Sequence, residues 1–209
     1  MTTNESFPKF DLPVDFIADD SITGDILNYY GNFPCKIKAG VFVLCTEGMV
    51  RATINLLEVV IRKNDFIVVL PNSFIQIHEV SSDTRISFAG FSSDFMLSGN
   101  YVEILLDFMP MILNSPVISL QEDVAGLYRN VYLLLIRAYT LPHSLENKEI
   151  IRSVLAIFLQ GTKELYKRYG KKLDEPLRRE QELYRQFIQL LMAHYTKEHE
   201  VAFYAEKCG

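Results

Sequence analysis

Cysteine is scarce in this chain, and no apolar run is long. The three cysteines, Cys35, Cys45 and Cys208, form no C-x-x-C pair, which excludes the usual zinc and thiol redox motifs and a paired disulfide framework. The densest apolar stretch, residues 131–136, is far shorter than the ~20 residues that cross a bilayer. The N-terminus lacks a basic segment followed by an apolar one. We therefore expect a soluble protein of the reducing cytoplasm, with no membrane partner.

The chain also lacks the excess of basic residues that is typical of a nucleic-acid-binding surface. Lys and Arg number 21 against 26 Asp and Glu, a formal net charge of −5. Residues 1–96 hold 12 acidic and 7 basic residues, whereas residues 97–209 hold 14 of each. The first part therefore carries the whole net charge, and composition alone argues against DNA binding by that part.

Residues 33–91 have the pattern of short strands. Val, Ile, Phe and Thr are enriched there, and turn signals recur at Gly40, Gly48, 63–65, 71–73 and 81–83. No apolar period of 3.6 residues is sustained in this region. The pattern predicts an antiparallel β-barrel or jelly roll.

After residue 94, apolar residues recur at helical spacing. Three amphipathic helices are predicted, around 104–112, 124–139 and 151–169, with breaks near Pro116 and Pro142. Residues 171–181 are charged and contain Pro176, which predicts a linker, and a further helical unit follows. The expected fold class is α+β, with a β-barrel over 1–96, a helical region over 97–170, a linker over 171–181 and a last unit over 182–209.

The last unit carries a family resemblance. LYRQFIQLLMAHYTKEHEVAFYAEKCG, residues 183–209, resembles the opening of the C-terminal DNA-binding domain of AraC-family transcription regulators, of the type common in Bacteroidetes-like genomes. TEGMVRATINL, NDFIVVLPNSF and ISFAGFSSDF resemble that family's N-terminal cupin-type sensor. The resemblance implies a cupin-like barrel, a helical dimerisation region and a helix-turn-helix domain that is truncated at Gly209, before its first recognition helix.

The cupin barrel occurs in metal enzymes and in metal-free sensors, so only the residues of the site can distinguish the two functions. Aligned with the family's two cupin motifs, the positions of metal ligands fall on Cys35, Ile37, Val41 and Gln76. Ile37 and Val41 cannot bind a metal, and His78 is the one histidine in the predicted barrel. Cys45 has no nearby base, and no G-x-S-x-G, P-loop or G-x-G-x-x-G motif occurs. We therefore expect no metal, no cofactor and no catalytic residue.

Strand alternation predicts a ligand pocket inside the barrel, because residues two apart share a face. If Gln76 occupies the inward position of a cupin metal ligand, Phe74 and His78 also face inward, and Ile75 and Ile77 face outward. The same alternation turns Val41, Val43, Cys45 and Glu47 inward and adds Ile86 and Phe88. The predicted site for a small-molecule effector consists of Val43, Cys45, Glu47, Phe74, Gln76, His78 and Phe88. The alternative is that His78 and Gln76 only hydrogen-bond to neighbouring residues.

The third helix offers a dimer interface. Its apolar stripe, in a region that mediates dimerisation in the resembled family, comprises Ile151, Val154, Leu155, Phe158 and Leu165. The same stripe could instead pack on the barrel or on the second helix. Ile157 lies off the stripe, which favours an additional partner for this helix.

The resemblance implies that an effector in the barrel changes how the homodimer presents two DNA-binding domains, so that DNA is bound only through the full-length protein. Two alternatives stay open. One is a cupin-fold enzyme with an unusual metal site, and the other is a dimerisation module without a ligand.

Overall fold

The structure is a computed structural model that describes residues 9–29, 33–97, 101–140, 148–170 and 197–209, with Arg179, Leu183, Gln186, Phe187, Leu190 and His194. Its strands are β1 Lys9–Phe10, β2 Phe16–Thr23, β3 Cys35–Ile37, β4 Gly40–Glu47, β5 Met49–Ile54, β6 Leu57–Arg62, β7 Asp65–Val69, β8 Ser73–Val80, β9 Arg85–Phe91 and β10 Val117–Ser119. Its helices are α1 Gly24–Tyr29, α2 Ser93–Leu97, α3 Tyr101–Asn114, α4 Glu122–Thr140, α5 Lys148–Tyr169 and α6 Val201–Cys208.

The strands form two five-stranded sheets. The outer sheet has the order β1-β3-β8-β5-β6, and the inner sheet has the order β10-β7-β4-β9-β2. Neighbouring strands are antiparallel except β1 and β3, which are parallel. Within the described residues, no ladder joins an edge of one sheet to an edge of the other.

The sequence analysis expects an antiparallel β-barrel or jelly roll. The two sheets are not closed into a barrel, and the prediction of mixed α and β structure is confirmed. The reason is that apolar alternation reports which faces of a strand are buried, whereas closure depends on whether edge strands meet. The sequence pattern carries no information about that meeting.

The chain builds three layers, because the inner sheet is buried on both faces. Val43 and Cys45 of β4 face the outer sheet, where they join the core between the sheets, the inter-sheet core. Phe42 and Leu44 of the same strand face α3, α4 and α5 and join a second core, the helix-side core. For the same reason β7 is buried at all five of its positions.

Turn residues confirm several of the breaks that the sequence signals. Asn64 and Asn72 have φ values of 68° and 69°, in the left-handed region that asparagine tolerates. Gly48 has a φ of 78°, and a Cβ at this position would lie 2.5 Å from Cα of Thr84. The β4–β5 turn therefore requires glycine, both for its backbone conformation and for the close approach of Thr84.

Several elements lie outside the predicted ones, among them β2, α1 and β10. Strand β2 pairs with β9 along the edge of the inner sheet, α1 follows β2 directly, and β10 adds three residues to the other edge, beside β7. Strand β2 reads FIADDSIT, and its adjacent acids conceal the alternation of Phe16 and Ala18, both of which are buried. No helix in the described part of the chain is long and apolar enough to cross a membrane.

Candidate functional site

The inter-sheet space is the predicted effector site, and β4 lines it as predicted. Val41, Val43 and Cys45 pack in the inter-sheet core. Cys45 is fully buried, and its Sγ–H donates to the Glu47 carbonyl at 3.2 Å. Burial, with a smaller contribution from the charge of Asp65, raises the pKa of the Cys45 thiol to about 11. A thiol that stays protonated at neutral pH is a packing group and a poor nucleophile.

Strand β8 has the opposite orientation to the predicted one. Ile75 and Ile77 pack in the inter-sheet core, so Phe74, Gln76 and His78 do not face it. The prediction placed the polar residues inside on the analogy of a metal-ligand position at Gln76. The physical reason for the reversal is that two β-branched aliphatic side chains gain more from burial than a glutamine and a histidine.

The outward residues of β8 have partners on the solvent side of the outer sheet. The ring of Phe74 is 37% exposed and lies 5.8 Å from the ammonium of Lys36. Nε2 of His78 lies 2.7 Å from Oγ1 of Thr53, a hydrogen bond on the exposed face. His78 therefore has the structural role that the sequence left open as an alternative, which is hydrogen bonding to a neighbouring residue.

Glu47 also lies outside the inter-sheet space. A register shift between Cys45 and Glu47 ends the alternation along β4, and Glu47 is exposed. Its carboxylate forms an ion pair with Arg85, with 3.3 Å between Oε2 and Nε. Its predicted inward orientation is therefore wrong, because a bulge at the strand end changed the face.

Phe88 of β9, one strand in from the edge of the inner sheet, faces the inter-sheet space. It lies two residues from Ile86, which belongs to the inter-sheet core, and it is paired with Val43 on β4 and with Asp19 on β2. Paired residues share a face, so Asp19 places a carboxylate on this side of the sheet. One oxygen of that carboxylate accepts the Ser21 N–H at 2.6 Å. Asp19 is a site residue that the sequence analysis missed, although the burial of Phe16 and Ala18 on the other face identifies its orientation.

The two sheets bury their facing side chains more completely at the centre of the sandwich than on the side of β3. Interior residues of β5 and β7, such as Ala52, Ile54 and Ile67, are buried, whereas those nearer β3 and β9 are only half-buried. We call this half-buried set the inter-sheet mouth: Asp19, Leu27, Ile37, Val41, Val43, Ile75, Ile77 and Phe88. Its side chains are apolar except for one carboxylate, a composition that suits a small ligand with an apolar body.

The described residues offer no metal centre at this site. Ile37 and Val41, at two of the expected ligand positions, are aliphatic, and Gln76 lies on the solvent face. No group of three or more His, Cys, Asp or Glu in the described part of the chain is placed to hold a metal ion.

The predicted dimer stripe is part of the helix-side core. Leu155, Phe158 and Leu165 are buried there, and Ile151 and Val154 pack against it. The alternative that the sequence left open, packing within the chain, is thus the observed one. The ring of Phe158 lies 4.9 Å from that of Phe42, so α5 is seated on the inner sheet.

Other apolar side chains of the helices are exposed. Leu127 and Leu134 of α4 are 61% and 62% exposed, and Ile157 of α5 is 73% exposed. Leu127 and Leu134 lie two turns apart on one face of α4. The two helices are neighbours on the inner sheet, because Phe158 also contacts the ring of Tyr132, at 5.8 Å.

The last unit forms a small helical contact of its own. Tyr204 of α6 is buried, with its ring 5.8 Å from that of Phe187. Its hydroxyl donates to the carbonyl of Glu198, which precedes the helix, at 2.6 Å. The predicted linker over 171–181 lies outside the described residues, apart from Arg179.

Comparison with known proteins gives distant structural matches only. No protein-family profile and no curated protein matches the chain. The AraC-like transcriptional activator CuxR aligns with a TM-score of 0.47 and 10% identity over 83% of this chain and 57% of that one. Unsaturated-fatty-acid-bound ToxT from Vibrio cholerae aligns with a TM-score of 0.40 and 9% identity over 94% and 69%. An oxalate decarboxylase from Bacillus subtilis aligns with a TM-score of 0.27 and 12% identity over 53% and 39%.

Regulators of the AraC type are thus among the solved structures that resemble this chain. The chain spans a little over half the length of CuxR. At these TM-scores the likeness is distant.

Proposed function

We propose that this chain is the ligand-sensing and dimerisation part of an AraC-type transcription regulator. The observation that carries the proposal is the inter-sheet mouth, where interior residues remain half-buried beside a closed centre. A protein that only needed a core would gain stability by closing this space. The resemblance of residues 183–209 to the start of a helix-turn-helix domain supports the regulatory role, as does the packing of Tyr204 on Phe187.

The effector that fits the mouth is small and mainly apolar. Val43, Ile75 and Ile77 supply aliphatic walls, and Phe88 supplies an aromatic one. Asp19 is the carboxylate on this face, so it would accept a hydrogen bond from a hydroxyl or amine of the effector. Glu47 and His78, which the sequence suggested for this role, point elsewhere.

Thermal shift with a library of small apolar compounds tests this site. A ligand at a hundred times its Kd adds ~2.7 kcal/mol, which raises Tm by about 5–10 °C for a chain of this size. The variant Val43→Phe fills the mouth and should abolish the shift. Leu56→Phe, in the exposed β5–β6 turn, is the matched control and should retain it.

Two results would count against the effector proposal. A compound whose shift is equal in wild type and Val43→Phe binds elsewhere. A library without any hit would leave the chain as a dimerisation module without a ligand, the alternative that the sequence left open.

The dimer, in this proposal, uses the exposed apolar residues of α4 and α5 in place of the buried stripe. Leu127 and Leu134 lie on one face of α4, and these two residues and Ile157 of α5 are each more than half exposed. A symmetric interface between two copies would bury them. An effector in the mouth would change this dimer, and with it the spacing of two DNA-binding domains.

Light scattering tests the dimer. The double variant Leu134→Glu with Ile157→Glu should give a monomer with unchanged far-UV circular dichroism. Met111→Glu, on the exposed face of α3, is the control and should leave the dimer intact. A wild-type monomer, or a double variant that still dimerises, would remove this surface from the proposal.

A further inference from the structure

The two sheets of the described chain end in the edge strands β1, β6, β10 and β2, and three of these edges are protected against pairing with another chain. Strand β1 has two residues and β10 has three, so each offers only a short ladder. The carbonyl of Val117 in β10 also accepts the Ser115 hydroxyl at 2.9 Å. Strand β2 carries the adjacent acids Asp19 and Asp20 and an irregular register beside them. Shortness, charge and irregularity are the features by which natural sheets keep their edges unpaired.

Strand β6 lacks these protective features. Its six residues, LEVVIR, contain no proline and pair with β5 in an unbroken register. A groove of about 460 Å³ separates its other side from β10, and no strand of the described chain pairs with it there. An uncovered and mainly apolar edge strand is a template for the addition of another strand.

The backbone groups on the free side of β6 belong to alternate residues. In an antiparallel ladder the N–H and C=O of one residue point to the same side, and those of the next residue point to the opposite side. The Arg62 N–H donates to the Asp65 carboxylate at 2.7 Å, so Arg62 points away from β5. Glu58 and Val60 therefore also point away from β5. Within the described residues, no strand partner occupies their N–H and C=O groups.

The side chains of the same three residues make this edge complementary to itself. Glu58, Val60 and Arg62 lie on the solvent face of the outer sheet, and Val60 is 40% exposed. Neither Glu58 nor Arg62 forms an ion pair with another described residue. The strand thus presents an acid, a valine and a base in order. A two-fold axis at Val60 sets the acid of one such strand opposite the base of another.

We propose that β6 pairs with β6 of a second copy of this chain, antiparallel and with Val60 opposite Val60, so that the two outer sheets become one continuous sheet. The two valines exchange both of their backbone hydrogen bonds, and each Glu58 N–H donates to the Arg62 carbonyl of the other copy. On the solvent face, Glu58 lies opposite Arg62. On the other face, Val59 lies opposite Ile61. This register alone sets Glu58 directly opposite Arg62.

This interface goes beyond the dimer of the proposed function, because it uses a different part of the molecule. Strand β6 belongs to the outer sheet, whereas α4 and α5 pack on the far side of the inner sheet. An edge of six residues buries less than the roughly 1,200 Å² of a stable complex, so the contact is weak, and a dilute chain with a disabled α4–α5 surface stays monomeric. Where both two-fold interfaces form, copies associate beyond the dimer.

Disulfide trapping of the whole chain tests the pairing, since a covalent bond accumulates even from a weak contact. The parent chain carries Cys35→Ser and Cys208→Ser, which leaves the buried Cys45 as its remaining native thiol. It also carries Leu134→Glu and Ile157→Glu, so that α4 and α5 cannot bring two copies together. Failure of the proposed helix dimer is thereby separated from failure of this edge.

Val60→Cys in this parent should give a covalent dimer on mild oxidation. The proposed register holds the two Cα atoms about 5.5 Å apart, within the range that a disulfide spans. Leu56→Cys is the matched control, because Leu56 is 57% exposed in the β5–β6 turn. Its counterpart in the other copy would lie about 26 Å away at ~3.3 Å per residue. Leu56→Cys should therefore cross-link at least about tenfold more slowly.

Charge variants of the Val60→Cys chain test the register. Glu58→Arg sets like charges opposite each other at two places and should slow cross-linking about tenfold, and Arg62→Glu alone should slow it equally. The two changes together restore opposite charges and should restore the rate. Glu47→Arg, at an exposed acid of another strand, is the control and should leave the rate unchanged. Far-UV circular dichroism should be the same for all of these variants.

Equal cross-linking of Val60→Cys and Leu56→Cys would indicate random collision and would overturn the proposal. A rate that neither Glu58→Arg nor Arg62→Glu changes would also overturn it, and so would a slow rate that the combined variant does not restore. A covalent dimer at Val60 in a protein whose α4–α5 surface proves monomeric would support this interface and count only against the helix surface.

Discussion

Replacement of Phe158 by alanine should remove a large part of the stability of this protein. Phe158 is 3% exposed and stands where α4, α5 and the inner sheet meet. Its ring centroid lies 4.9 Å from that of Phe42, 5.9 Å from Tyr128 and 5.8 Å from Tyr132. The cavity left by alanine would be bordered by rings on a sheet and a helix, which cannot collapse easily to fill it.

The expected magnitude follows from burial. Phe→Ala substitutions in cores cost about 3–5 kcal/mol, and the aromatic pairs place Phe158 toward the upper end. Alanine favours a helix, so backbone propensity offsets only a small part of this loss. A domain has ~5–15 kcal/mol in total, so the variant should lose a third or more of its free energy of unfolding.

Urea unfolding followed by far-UV circular dichroism measures the loss as a lower midpoint at an unchanged slope. Phe33→Ala is the matched control, because Phe33 is 72% exposed and undergoes the same chemical change. It should alter stability by about 0.5 kcal/mol or less. A loss below about 1 kcal/mol for Phe158→Ala, with a dimer that dissociates, would refute the core assignment and return Phe158 to the dimer interface.

Two further predictions concern buried ionisable and polar groups. The hydroxyl of Tyr132 has no hydrogen-bond partner among the described residues, whereas that of Tyr166 donates to the Pro116 carbonyl at 3.1 Å. In urea unfolding, Tyr132→Phe should be neutral or stabilising by up to about 1 kcal/mol and Tyr166→Phe should cost about 1 kcal/mol; the reverse order would contradict the structure. Burial raises the pKa of Cys45 to about 11 and of Tyr128 to about 12, so the folded state holds both protons more tightly than the unfolded state does. The resulting stability is complete below the unfolded pKa values of about 8.5 and 10, and it is lost as pH rises through the folded pKa values. The urea midpoint should therefore fall above about pH 9. A urea midpoint that stays constant up to about pH 12 would be inconsistent with these pKa shifts.

The elements with strong periodicity were predictable from the residues. The three long helices α3, α4 and α5 follow from apolar spacing, and the turns at Gly48, Asn64 and Asn72 follow from residues that tolerate positive φ. The strands β2 and β10 were not, since one contains adjacent acids and the other has three residues. Short elements at sheet edges form because a neighbouring strand is present, and a local pattern does not show that neighbour.

The candidate site was likewise predictable from the sequence only in part. Alternation correctly oriented β4, because Val41 and Val43 share a parity with Cys45. Alternation gave the wrong face of β8, because both faces of that strand carry apolar residues. The assumption that Gln76 occupies a metal-ligand position led to the wrong choice between the two faces. Glu47 was misplaced by a bulge, and Asp19 was missed with its strand.

The sequence by itself determined the kinds of element, their order and the residues that must be buried, because hydrophobic spacing and turn chemistry are local properties. Only the tertiary structure decided which partner buries each apolar face. The apolar stripe on α5 could have packed against a second copy of the chain or against the inner sheet. In the folded chain it packs in the helix-side core, against the inner sheet. The same contact leaves Ile157 exposed. The inter-sheet mouth likewise depends on how the two sheets pack, which the pattern of a single strand does not show.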